Sequence, residues 1–195
     1  QRVFNRKIPF LNFFLKKELI YVPVLGLCWW ALDFPFMTRT SKSQLKKNPK
    51  LRGKDLETTR KACEKFKEMP VSVVNFVEGT RFTAQKHSRQ NSPFPHLLKP
   101  KAGGVAFVMQ AMGEQISKVV NVTIQYPEGI PTFMDFASGR VKQINIHVEV
   151  MPVSQELIGD YTGDSEFRVR FQSELNRLWQ EKEQQLSEFE QKLKS

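Results

Sequence analysis

The chain has 195 residues, of which 40% are hydrophobic, and this composition suits one globular domain with a core rather than a disordered tail. Its net charge is +10, and the whole excess lies in residues 1–67, which hold 16 Lys and Arg against 5 Asp and Glu. Cys28 and Cys63 form no CxxC pair and have no histidine at metal spacing, so the sequence gives no support for a zinc site. They indicate free thiols in a reducing compartment, although the sequence leaves a disulfide between them open.

The first third of the chain alternates helix and strand signals with basic segments. Pro23 can occupy the first turn of a helix, and Asp55 is a good N-cap. The predicted elements are a helix over 10–19, a short strand at 20–22, a helix over 23–32, a strand at 34–38, a basic linker at 42–54 and a helix over 55–69.

The rest of the chain is built around its strongest strand signal, VSVVNFV at 71–77, which we expect to be buried on both faces of a sheet. After it we predict a loop at 83–100, a helix over 101–112, strands at 119–126 and 141–150, and a long helix over 164–194. The mostly charged last turns of that helix are expected to protrude or to meet a partner. Strands alternating with helices predict an α/β fold, with a mixed β-sheet flanked by helices and a long C-terminal helix.

A four-residue turn, Glu78-Gly79-Thr80-Arg81, follows the strongest strand directly. Glycine lets backbone N–H groups approach an anion closely, and an arginine can grip phosphate oxygens with two hydrogen bonds. Thr80 can add a hydroxyl. Taken alone, the pattern is also compatible with an ordinary turn that carries a solvated arginine.

The surroundings of this turn resemble the glycerolipid acyltransferase family, which includes 1-acylglycerol-3-phosphate acyltransferases. Four blocks occur in the family's order over about residues 1–130. They are KKELIYVPVLG at 16–26, closed by Arg39, then FVEGTR at 76–81, KPKAGG at 99–104 and VNVTIQYP at 120–127. The resemblance implies a glycerol-3-phosphate acyltransferase-like fold and one acyltransferase domain over 1–195.

The family's catalytic signature, a histidine followed five positions later by an aspartate, does not occur in this chain. His87, His96 and His147 are followed at that distance by Ser92, Lys101 and Pro152. The signature normally precedes the first block, so we expect the chain to be an N-terminally truncated domain that lacks the His-Asp segment. Such a chain is expected to bind its acceptor but not to transfer an acyl group.

The resemblance implies transfer of a fatty acyl group from acyl-CoA or acyl-acyl carrier protein to a lysophospholipid such as lysophosphatidic acid, with no cofactor and no metal. It makes Arg81 the main phosphate ligand, framed by Gly79 and Thr80. Glu78 is expected to position an arginine or a backbone amide. The supporting cations are expected to be Lys17, Arg39 and Lys101.

Simpler explanations stand beside several of these roles. Lys17 can merely complement the carboxyl end of a helix, Arg39 can continue the basic linker, and Glu78 can be a solvated turn carboxylate. Asp33 and the FPF stretch at 34–36 replace small residues common in the family, which leaves the acceptor head group open.

The basic, aromatic first third predicts contact with an anionic membrane surface, with Trp29 and Trp30 at the headgroup level. The uncharged stretch at 19–32 is too short to span a bilayer. We therefore expect a membrane-associated protein on the cytoplasmic face, which is the inner membrane in a bacterium. The rival interpretations are a non-enzymatic membrane-binding module and a nucleic-acid binder; the latter has no recognition motif, so no nucleic acid is expected.

Overall fold

The computed structural model describes residues 9, 11–13, 15–32, 34, 36–37, 57, 60, 61, 63, 64 and 70–194. Near the amino end, strand β1 (Leu11–Phe13) is followed by β2 (Leu15–Lys16) and by a 3₁₀ helix (Lys17–Tyr21). Both strands pair in parallel, β1 with β4 (Ser72–Val74) and β2 with β3 (Phe36–Met37). The pairing of β1 with β4 places residues 11–13 beside the strand that leads into the turn at Glu78.

The predicted helix over 10–19 and the predicted strand at 20–22 are both wrong. Residues 11–13, 15 and 16 are extended because they pair with other strands, and residues 20 and 21 belong to the 3₁₀ helix. The ring of Phe13 stacks on Phe34 at 6.1 Å and on Phe76 at 6.2 Å. Pairing and aromatic packing between remote segments outweigh the local helical spacing of the apolar residues.

Helix α1 (Leu25–Ala31) confirms the predicted helix over 23–32, and β3 lies within the predicted strand at 34–38. Gly26 is buried, and a side chain added there would meet the Ile20 carbonyl oxygen at 2.1 Å. Helix α1 therefore packs against the 3₁₀ helix only because residue 26 has no Cβ. In the predicted helix over 55–69 the described residues (57, 60, 61, 63 and 64) are helical, while Asp55 lies outside the described residues.

The segment at 83–100 was predicted to be a loop, and the structure corrects this, because it contains helix α2 (Ala84–Gln90). The Thr83 hydroxyl caps the helix by accepting the Lys86 N–H at 3.2 Å, and Asn91 ends it in the left-handed conformation with φ 45°. The helix has no buried residue, so it leaves no apolar periodicity in the sequence.

The second half of the chain forms α3 (Ala102–Met112), β5 (Lys118–Gln125), α4 (Phe133–Ala137), β6 (Asn145–Pro152), a 3₁₀ helix (Gln155–Leu157) and α5 (Ser165–Lys194). Strands β5 and β6 pair antiparallel, with Lys118 opposite Pro152 and Gln125 opposite Asn145. The predictions for α3, β5, β6 and α5 are confirmed to within a few residues. The fold is mixed α/β with a long C-terminal helix, as predicted.

The predicted burial of 71–77 on both faces of a sheet is wrong, because all three residues of β4 are half-buried. The main core lies instead between α3 and α5. Its buried members are Phe94, Ala102, Ala106, Met109, Phe167, Phe171, Leu175 and Trp179. Among the described residues no helix is both long enough and apolar enough to cross a bilayer.

We expect Phe171→Ala to lower the free energy of unfolding by about 3–5 kcal/mol, the usual cost of truncating a buried phenylalanine. The ring is 3% exposed and contacts Phe167 and Tyr161 at centroid distances of 5.8 and 5.7 Å. Urea denaturation measures the change. Val169→Ala is the control on the same helix, because Val169 is 67% exposed and should lose little. Equal losses for the two variants would contradict a core centred on α5.

Candidate anion-binding site

The turn after β4 is held in place by two backbone hydrogen bonds. The Gly79 N–H donates to the Phe76 carbonyl at 2.8 Å, and the Lys101 N–H donates to the Val77 carbonyl at 2.9 Å. Gly79 has φ 64°, a left-handed conformation that glycine adopts without steric cost. The turn therefore bends sharply out of β4 and is fastened to the start of α3.

Glu78 is half-buried, and it accepts the backbone N–H of Leu98 at 3.2 Å. Burial raises the pKa of its carboxyl group, while the Leu98 hydrogen bond and the positive charges of Lys101 and Lys182 act in the opposite direction. Of the two positioning contacts that the sequence left open, the structure contains the one to a backbone amide. The carboxylate thus holds the 92–98 segment against the turn.

Lys86, which the sequence did not single out, is a cation that contacts the turn directly. Its ammonium group donates to the Thr80 hydroxyl oxygen at 2.8 Å and to the Arg81 carbonyl at 3.1 Å. Lys86 lies in the first turn of α2, so the cap at Thr83 aims it back toward Thr80. The sequence signal that could have revealed Lys86 is Thr83, a residue type that favours the N-cap of a helix.

Arg81 is exposed, and its guanidinium group makes no hydrogen bond or ion pair to another described residue. Lys101 is also exposed and is close enough to Glu78 to lower the pKa of that carboxyl group. The structure thus brings together five of the seven residues predicted for the site and adds Lys86. The residues gathered at the turn are Glu78, Gly79, Thr80, Arg81, Lys86 and Lys101.

The other two predicted cations stay predictions. Lys17 opens the 3₁₀ helix directly after β2, so the alternative that it complements the carboxyl end of a 10–19 helix no longer applies. Arg39 lies outside the described residues.

Two of the three histidines already have ring partners. The Nε2 of His87 is 2.8 Å from the Phe94 carbonyl oxygen, and the ring nitrogens of His96 face Glu183 and Glu190. His147 is exposed on β6. Within the described part of the chain no three His, Cys, Asp or Glu side chains cluster in a way that could hold a metal ion. Both cysteines are free, and burial raises the pKa of the Cys63 thiol to about 11.

Behind the turn lies a buried lysine that the sequence did not reveal. Lys182 of α5 is 7% exposed, and its ammonium group donates to the Val122 carbonyl at 2.7 Å and to the Thr123 hydroxyl at 3.1 Å. Burial lowers the pKa of Lys182 to about 8, and the charges of Glu149 and Glu78 oppose that shift.

The geometry defines a small cationic turn with one hydroxyl group, next to the half-buried carboxylate of Glu78. This arrangement suits the binding of a phosphate-sized anion at the surface. The sequence model of the family Acyltransferase matches residues 3–129, which include the whole turn. The chain belongs to the acyltransferase family.

The chain is also similar, at about one quarter sequence identity, to individual relatives. The chain is 25% identical over 179 residues to 1-acyl-sn-glycerol-3-phosphate acyltransferase delta of Mus musculus, covering 86% of this chain and 42% of the relative. It is 24% identical over 153 residues to 1-acyl-sn-glycerol-3-phosphate acyltransferase 3 of Arabidopsis thaliana, covering 72% and 38%. The chain thus spans less than half the length of these relatives. No solved structure matches it significantly.

We expect stability to rise between about pH 8 and pH 10.5 through Lys182. In that window the unfolded lysine still binds its proton, while the folded lysine, with its pKa lowered to about 8 from 10.5, has lost it. Below pH 8 the folded chain carries the full cost of a buried charge, and raising the pH relieves that cost. Because other groups titrate as well, the quantity to measure is the difference in urea stability between wild type and Lys182→Met.

This difference should shift in favour of wild type by up to about 3 kcal/mol across the window. Lys192→Met, which removes an exposed lysine from the same helix, should follow the wild-type pH profile. Parallel profiles for wild type and Lys182→Met would contradict the buried position of the ammonium group.

Proposed function

We propose that this chain supplies the acceptor-binding part of an acyltransferase that acts on a lysophospholipid, with lysophosphatidic acid as the foremost acceptor. The donor is acyl-CoA or acyl-acyl carrier protein. The observation that carries the proposal is the turn at 78–81, where a left-handed glycine, a hydroxyl group and Arg81 occur within one family block, and where Lys86 of α2 bonds to the hydroxyl group.

The hydrogen-bond roles at Thr80 favour an anion. Its oxygen accepts the Lys86 ammonium, so the hydroxyl hydrogen is left to donate, and no described residue takes it. Beside it the Arg81 guanidinium can give two parallel hydrogen bonds to phosphate oxygens. A phosphate monoester offers several acceptor oxygens and a double charge, and it matches this set better than a carboxylate does.

The choice of lysophosphatidic acid comes from the relatives, whose names specify acylation of 1-acyl-sn-glycerol-3-phosphate. A lysophospholipid with a substituted phosphate remains the alternative acceptor, since Asp33 and the FPF stretch at 34–36 depart from the family pattern. Both acceptors would present a phosphate group to the same turn.

In the transfer reaction, the free glycerol hydroxyl attacks the thioester carbonyl. A new C–O ester bond forms, the C–S bond breaks, and the proton of the hydroxyl passes through a general base to the leaving thiolate. The role of this chain is to hold the acceptor by its phosphate so that the hydroxyl meets both the base and the thioester.

We assign no residue of this chain to the base. None of the three histidines is followed by the aspartate of the family signature, and the rings of His87 and His96 are engaged by Phe94 and by two glutamates. The chain by itself is therefore expected to bind lysophosphatidic acid and to transfer nothing.

The proposed membrane contact includes the segment that joins β5 to β6. A capping box between Thr132 and Asp135 fixes the short helix α4. Its large apolar side chains project into solvent, with Phe133 80%, Met134 64% and Phe136 62% exposed. Arg140 and Lys142, both exposed, follow the helix within a few residues. Aromatic side chains next to cations are typical of segments that insert at the headgroup level of a bilayer.

We expect Arg81→Ala to weaken lysophosphatidic acid binding roughly tenfold or more, because a charge-assisted pair to the phosphate is lost. Isothermal titration calorimetry on the 195-residue chain, with acceptor below its micellar concentration, measures the dissociation constant. Arg89→Ala removes an exposed arginine from α2 and is the matched control, which should bind like wild type.

Wild-type affinity in Arg81→Ala would favour the rival interpretation, a membrane-binding module without a phosphate site. Acyl transfer by the chain alone would overturn our view that the base is not among its histidines. Salt-dependent DNA binding that outcompetes anionic vesicles would support the nucleic-acid alternative.

We expect Phe133→Ser to reduce partitioning onto phosphatidylcholine–phosphatidylserine vesicles roughly tenfold, since burying one phenylalanine in lipid contributes about 1.5–3 kcal/mol. Vesicle flotation measures the bound fraction. Val169→Ser changes an apolar residue of similar exposure on α5 and should bind vesicles as wild type does. An unchanged bound fraction for Phe133→Ser would remove α4 from the membrane contact.

A further inference from the structure

Helix α5 carries a charged residue in the middle of its buried face. Its buried residues follow one another at three- and four-residue steps, and all but one are apolar. They are Phe167, Phe171, Leu175, Trp179, Lys182 and Leu186. A buried ammonium group costs stability unless it is paired, so Lys182 is not explained by packing alone.

Trp179, one helical turn before Lys182, reaches the candidate site through Leu98. The indole N–H donates to the Leu98 carbonyl at 3.0 Å, and the Leu98 N–H donates to the Glu78 carboxylate at 3.2 Å. Leu98 is completely buried. A continuous hydrogen-bonded path thus leads from α5 to the turn that presents Arg81.

Lys182 fixes the other side of the same arrangement. Its ammonium group bonds to Val122 and Thr123 of β5 and lies 5.7 Å from the ring centre of Trp179. Thr123 in turn donates its hydroxyl hydrogen to Gln185 of α5 at 2.7 Å. Helix α5 therefore contacts both β5, through Lys182, and the 92–98 segment, through Trp179.

The charged groups that act on one another around Glu78 and Lys182 are two lysines and two glutamates. The charges of Glu149 and Glu78 raise the pKa of Lys182 against the larger effect of burial, and the charges of Lys101 and Lys182 lower the pKa of Glu78 against the larger effect of burial. Each charge thus favours the ionised form of the other, while burial raises the pKa of Glu78. The ionised carboxylate is the stronger acceptor for the Leu98 N–H, because charge-assisted hydrogen bonds are stronger than neutral ones.

A third contact comes from further along α5, where Glu183 accepts the His96 backbone N–H at 3.1 Å. All these α5 residues lie beyond residue 129, where the family match ends. The part of the chain that supports the turn is therefore not the part that carries the family's blocks.

We infer that Trp179 and Lys182 of α5 are positioning residues for the acceptor-phosphate turn, acting on it through Leu98 and Glu78. This inference rests on the proposed function. Neither residue touches the acceptor; the indole holds the Leu98 carbonyl, and the ammonium group anchors α5 to β5 beside Trp179 and adds a positive charge that favours the ionised form of Glu78.

The first experiment needs no ligand. The carboxyl titration of Glu78 is followed by NMR on chain labelled at glutamate, with Glu78→Gln used to assign the signal. In Lys182→Met the pKa of Glu78 should rise, because a nearby positive charge has been removed. Lys192→Met, the exposed lysine on the same helix, should leave it unchanged. An unchanged titration in Lys182→Met overturns the inference.

The second experiment measures lysophosphatidic acid affinity in Trp179→Phe, which removes the indole donor and keeps an aromatic ring. Its dissociation constant should rise roughly threefold to tenfold, and combining it with Glu78→Gln should cost less than the sum of the two single changes. Fully additive costs would assign Trp179 a purely structural role and overturn its place in the inference.

The two proposals fail in different ways. If wild type binds lysophosphatidic acid and neither α5 variant changes the affinity, the inference is wrong and the proposed function stands. If wild type binds no lysophosphatidic acid, the proposed function falls and takes the acceptor role of α5 with it. Circular dichroism of each variant establishes that it is folded before it is scored.

Discussion

Two hydrogen bonds at Leu98 join the cationic turn to the C-terminal helix, and the arrangement of the site depends on them. Leu98 is fully buried, so its N–H and carbonyl need partners inside the protein, and Glu78 and Trp179 provide them. An unsatisfied peptide group there would cost about 1–3 kcal/mol. The same requirement keeps the half-buried Glu78 carboxylate turned inward, while Arg81, three residues later, stays exposed to a ligand.

The site separates rigid support from accessible charge. Glu78 and Lys182 are shielded from solvent and partnered, and they act on the protein itself. Arg81 and Lys101 lie at the surface. Lys86 is half-buried and donates a hydrogen bond to the Thr80 hydroxyl group. Such a division suits an anion that must bind and leave, because surface cations attract it while the buried network keeps the turn in one conformation.

The sequence located the turn correctly but not the first elements of the fold, and the binding role of the turn stays a prediction. The order of blocks around FVEGTR identified the turn, and the structure brings Glu78, Gly79, Thr80, Arg81 and Lys101 together there. The periodicity of residues 10–19 misled, because strands β1 and β2 are extended only through pairing with segments that lie up to about sixty residues away. Lys86 was missed because α2 buries no residue and so has no apolar period.

The sequence alone determined the acyltransferase family, the cationic turn after a β-strand and the long amphipathic final helix, because each is written in local patterns of residue type. Tertiary structure decided what the patterns could not contain. Only folding places Trp179 against Leu98 and Lys182 against β5, since these contacts join residues 81 and 59 positions apart. A lysine within an amphipathic helix is expected to be solvated, and only the folded structure buries Lys182 against Val122 and Thr123 of β5.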